Sequence, residues 1–120
     1  MMSRFTIVHA DAFERPFPKW ALARKALDLA SFGMNLVELA PGESIPEHDE
    51  VGRDHEEVFI TLSGEPTLVI DGAEHPAPAG TYARLDPEPA RTVVNRSDRD
   101  ATVLIISAPR TSGYEPLEWA

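Results

Sequence analysis

Strand-like alternation dominates this chain from Phe32 onward. Phe32–Ala40 (FGMNLVELA) ends at Pro41-Gly42, and Glu56–Leu62 (EEVFITL) ends at Ser63-Gly64. Pro66–Ile70 (PTLVI) stops at Asp71-Gly72, a pair that tolerates positive φ and signals a hairpin. Thr81–Leu85 (TYARL), Arg91–Asn95 (RTVVN) and Ala101–Ala108 (ATVLIISA) follow, with a polar turn before the last. Seven or eight short strands punctuated by frequent turns predict an all-β sandwich or closed barrel.

The N-terminal third reads differently. Arg4–His9 (RFTIVH) has the β-branched and aromatic content of a strand. A proline-broken connection follows. Over Lys19–Ala30 the residues Leu22, Ala26, Leu29 and Ala30 recur at helical spacing, and Gly33 can end a short helix there. The expected layout is a strand, linker and helix over 1–31, a barrel over 32–110 and a tail over 111–120, as a single domain.

Two strands are apolar on both faces. Phe59 opposes Val58, Ile60 and Leu62, while Val103 and Ile105 oppose Leu104 and Ile106. A strand with water on one side alternates with polar residues, so these need cover from the N-terminal segment, the helix or a second subunit. A homodimer is the expectation.

Composition narrows the function. A net charge of −9 repels nucleic acid backbones and anionic lipid, so neither is an expected partner. The chain has no cysteine, which removes thiolate catalysis and zinc–thiolate sites. No apolar run reaches the roughly 20 residues of a spanning helix, and the first residues lack a signal-peptide layout, so a cytoplasmic location is expected.

Chemistry concentrates between His48 and Glu57, where two histidines and several acids precede a strand. Residues two apart on a strand face the same way, so His48 projects with Glu50 and His55 with Glu57. If these pairs lie on neighbouring strands joined by a short loop, four ligand-type groups converge.

These residues resemble the two motifs of the cupin superfamily, in its small single-domain bacterial form. The first motif has a Pro-Gly turn (Pro41-Gly42), a His-x-His pair beginning at His48, a glutamate (Glu57) and a glycine seven residues on (Gly64). The second has a glycine, Pro-x-Gly and His-x3-Asn. Gly72, Pro78, Gly80 and Asn95 match, but Arg91 stands where the family has histidine. The resemblance runs from Phe32 to about Pro109. It implies a double-stranded β-helix, or jelly-roll barrel, of two antiparallel sheets. It also implies dimerisation and a pocket that commonly holds a divalent metal on three histidines and a glutamate.

The motif is degenerate here. Glu50 takes the second histidine position unless His55 substitutes, and arginine is no metal ligand. The expected pocket set is His48, Glu50, His55, Glu57, Phe59 and Arg91. Two acids in one cavity need a cation nearby. It is either a divalent metal (Mn, Fe, Ni or Zn) on His48, Glu50 and Glu57, or Arg91 itself in a metal-free pocket. Repulsion between Arg91 and a metal favours the second slightly. The expected function is binding of a small anion or carboxylate. The alternative is a metal-dependent dioxygenase, isomerase or epimerase. If Glu57 is kept for function alone, replacing it with leucine costs little stability.

Overall fold

The alternation becomes strands because most of them bury an inward side between two sheets. The computed structural model describes residues 4–120. In chain order the strands are β1 (Trp20–Ala21), β2 (Gly33–Leu39), β3 (His55–Ser63), β4 (Thr67–Ile70), β5 (Ala73–Pro76), β6 (Tyr82–Leu85), β7 (Arg91–Val94) and β8 (Ala101–Pro109). A 3-10 turn (Ala10–Ala12) and one α-helix, α1 (Ala23–Leu27), precede β2. One sheet has the order β1-β2-β8-β3-β6 and the other β5-β4-β7, with all pairings antiparallel. The fold is the all-β, two-sheet barrel expected, with a short helix near the N-terminus.

Val37, Leu39, Phe59, Leu68, Val93 and Val103 form the core between the sheets. Phe59 therefore belongs to the core and not to the pocket, contrary to expectation. On β3 the inward row runs His55, Glu57, Phe59, Thr61, so chemistry occupies one end of the barrel and packing the other. The Asp71-Gly72 turn joins β4 to β5 with positive φ at both residues, 48° and 80°, as the hairpin signal requires. Asn95, completely buried, donates to the Leu39 and Arg99 carbonyls and accepts from Ser97, tying β7 to its neighbours.

Three local expectations change. Residues 4–9 form no strand; Phe5 and Ile7 are 75% and 88% exposed. Strand propensity is realised only against a partner, and that segment finds none among the described residues. The helix is only five residues long. Trp20 and Ala21 instead pair with Val37 and Leu36 at the sheet edge, where Ala21 becomes fully buried. Asp28 in the left-handed conformation ends the helix, its N–H reaching the Arg24 and Lys25 carbonyls. Finally, β5 (AEHP) is exposed throughout and carries no apolar alternation; it is a strand because β4 pairs with it.

Candidate functional site

Backbone pairing sets the site. His48 and Arg91 exchange hydrogen bonds, with His48 N–H to the Arg91 carbonyl at 3.0 Å and the reverse at 2.8 Å. The segment carrying His48 and Glu50 thus runs beside β7, while His55 and Glu57 begin β3 in the other sheet. The two pairs face each other across the barrel mouth instead of sharing a hairpin. A turn over 51–54 makes the crossing. Arg110 clamps it by donating twice to Asp54, at 3.0 and 2.6 Å.

Three acceptor-rich groups then meet. The Pro46 carbonyl can only accept, so His48 Nδ1, 3.1 Å away, carries the hydrogen, and Nε2 is left facing the acids. Nε2 lies 3.5 Å from Glu50 Oε1 and 3.8 Å from Glu57 Oε1. Glu50 and Glu57 are only 4% and 5% exposed, and Arg91 is completely buried. Each acid has its own arginine. Arg53 Nη2 reaches both oxygens of Glu50 at 2.8 Å, and its Nε donates to Oε2 at 3.0 Å. Arg91 Nη1 donates to Glu57 Oε1 at 3.0 Å, and its Nη2 donates to the Asp86 carbonyl. Burial pushes the Glu57 carboxyl above the ordinary glutamate range, and the charge of Glu50 adds to this; Arg91 and His48 pull the other way and lose.

A cavity of 780 Å³ opens above this cluster. His48, Glu50, His55 and Glu57 all line it. Phe59 and Arg91 do not. Arg91 lies beneath the wall, so it holds Glu57 in place and cannot grip a ligand. Arg91 is thus paired to Glu57 from within the wall. His55 lines the cavity but stands outside the group formed by His48, Glu50 and Glu57, whose ligand atoms lie within 4.8 Å of one another. Its Nδ1 is shielded from solvent and has no hydrogen-bond partner.

Sequence reasoning missed Arg53, Arg24 and Trp20, which also line the cavity. Arg53 carried a signal, since it stands three residues after Glu50 with opposite charge. Arg24 and Trp20 sit near α1 and β1, elements that only tertiary pairing brings to the barrel mouth.

The Cupin domain family model matches residues 35–107. A cupin protein from Bacteroides fragilis superposes with a TM-score of 0.81 at 21% identity, covering 98% of this chain and 94% of that one. A sugar phosphate isomerase of the cupin superfamily from Silicibacter pomeroyi gives 0.71 at 25% identity, covering 85% and 74%. A Cupin 2 conserved barrel domain protein from Salinispora arenicola gives 0.61 at 31% identity, covering 69% and 67%. No curated protein matches the chain in sequence. No helix among the described residues is long and apolar enough to cross a membrane.

Proposed function

Since this chain belongs to the Cupin domain family, we propose that it binds a small polar molecule in its barrel cavity without a resident metal. One observation carries this reading. The oxygens that face His48, Glu50 Oε1 and Glu57 Oε1, are the ones that accept from Arg53 and Arg91. Two carboxylates and two guanidiniums already neutralise each other. A divalent ion among them would add two positive charges beside a fully buried arginine, with no anion left to offset them. These residues do not fit the ion the family commonly holds.

The cavity wall suits hydrogen-bonding ligands. His48, Glu50 and Glu57 present acceptors that the donors of a polar ligand would satisfy. A thermal-shift screen against small acids and sugars tests the reading. A ligand at 100 times its dissociation constant stabilises by about 2.7 kcal/mol. His48→Ala should abolish that shift. A shift that survives the substitution would place the ligand elsewhere.

A second reading, a metal-dependent cupin enzyme, has one observation in its favour. The His48, Glu50 and Glu57 ligand atoms approach within 4.8 Å, a spacing an ion could enter. Geometry admits the ion; the charge arrangement opposes it.

The proposed assembly is a homodimer through the outer face of the β1-β2-β8-β3-β6 sheet. There Leu104, Ile60 and Tyr82 form one cross-strand row, and Met34, Ile106 and Val58 the next. Tyr82 and nearby Leu62 are 72% and 52% exposed. A contiguous apolar patch of this kind marks an interface. Sedimentation should show a dimer, and Ile60→Lys should convert it to a monomer. A monomeric wild-type chain would refute this assembly.

A further inference from the structure

We propose that Arg24 is the anion subsite of this cavity, and that the ligand is a small polyhydroxylated anion, a carboxylate or phosphate. The inference rests on the cavity reading above and adds the charge and shape of the ligand.

The cavity has two arginines in its wall, and among the described residues only Arg53 has a carboxylate partner. Arg53 makes three contacts with Glu50. Arg24 makes no ion pair among the described residues. This is notable in a chain with 20 acids against 11 lysines and arginines. Its one hydrogen bond runs from Nη1 to the Leu29 carbonyl at 2.9 Å. That bond orients the guanidinium and leaves Nε and Nη2 available for a bidentate anion. The backbone behind it is fixed as well. The Arg24 carbonyl accepts from the Asp28 N–H that closes α1, and α1 packs against β2.

The rest of the wall says what the anion is attached to. Glu50 and Glu57 repel negative charge, so the anionic group belongs at the Arg24 side and neutral groups at the acid side. Hydroxyls suit the acid side because each can donate to a carboxylate oxygen and also satisfy a ring nitrogen. His48 Nε2, which faces both acids, is such a nitrogen. Asn35 and Ser107 add amide and hydroxyl groups, while Trp20 offers an aromatic surface for a carbon chain. A simple fatty acid would leave the polar wall unpaired, and a neutral polyol would leave Arg24 unused.

Matched probes test this on the full chain. Gluconate is compared with sorbitol, and glycerol phosphate with glycerol, by isothermal titration. At least one anion should bind about ten-fold or more tightly than its neutral partner. The pair that shows the preference distinguishes carboxylate from phosphate. Arg24→Gln, at an exposed position, should abolish the preference, bringing the anion's affinity down to that of its neutral partner. A preference that survives Arg24→Gln overturns the assignment, as does the absence of any preference in the wild-type protein. Ser107→Phe, which fills the cavity, separates the two levels. Binding that persists in Ser107→Phe sinks the cavity reading itself. Binding lost there, with the preference intact in Arg24→Gln, sinks only the role of Arg24.

Discussion

Arg91→Met should destabilise the protein by about 3–5 kcal/mol, the usual range for breaking a buried ion pair from one side. Arg91 is completely buried, and its Nη1 holds Glu57 at 3.0 Å. Methionine removes the guanidinium and leaves a buried carboxylate facing Glu50. Glu57→Leu should also be costly, because it strands the buried cation instead. The expectation that this substitution costs little therefore holds only for the double variant, in which leucine and methionine replace both charges and much of the loss is recovered.

The loss should also depend on pH in a definite direction. The folded-state pKa of Glu57 is raised by burial, so its favourable contribution is complete at pH below the ordinary glutamate range. That contribution is lost as pH rises through the raised value. Without Arg91, which pulls this pKa down, the shift grows and the loss extends further upward. The difference between wild type and Arg91→Met should thus be small in acid and widen towards neutral pH. Urea unfolding at several pH values measures it. A constant difference below about 1 kcal/mol would mean that Arg91 is replaceable packing.

Gly64→Ala should cost about 3 kcal/mol or more, against about 1 kcal/mol for Gly80→Ala. Both glycines have positive φ, 82° and 91°. Only Gly64 is also crowded. A Cβ there would lie 2.5 Å from the Asp100 carbonyl oxygen and 2.8 Å from Ala101 Cα, whereas a Cβ at Gly80 meets nothing within 4 Å. The obstacle is backbone at the start of β8, where Ala101 is itself buried, so it cannot swing aside. The glycine seven residues after Glu57 is thus required by packing rather than by chemistry. Equal unfolding midpoints for the two variants would contradict this.

β8 was legible because its continuous apolar run, Val103 to Ile106, is too short for a helix and follows a polar turn. β5 was not, because pairing alone makes it a strand. The helix over 19–30 was read too long because helical spacing of Leu22, Ala26 and Leu29 says nothing about Trp20 and Ala21 finding an edge partner on β2. At the site, His48, Glu50 and Glu57 were legible from spacing and motif together. Phe59 was misplaced because periodicity gives a face but not a depth along the barrel. Arg91 was assigned to the pocket by its motif position, yet its side chain turns beneath the wall to meet Glu57. Arg24 left no trace in the motif, since only the fold brings α1 to the cavity.

Metal analysis of the purified chain, after incubation with manganese, iron, nickel and zinc salts and desalting, tests the balance of charges in the cavity most directly. The arginine-paired arrangement predicts no stoichiometric metal and a melting temperature unchanged by chelator. One equivalent of metal per chain, lost in His48→Ala and lowering the melting temperature when chelated, would contradict it.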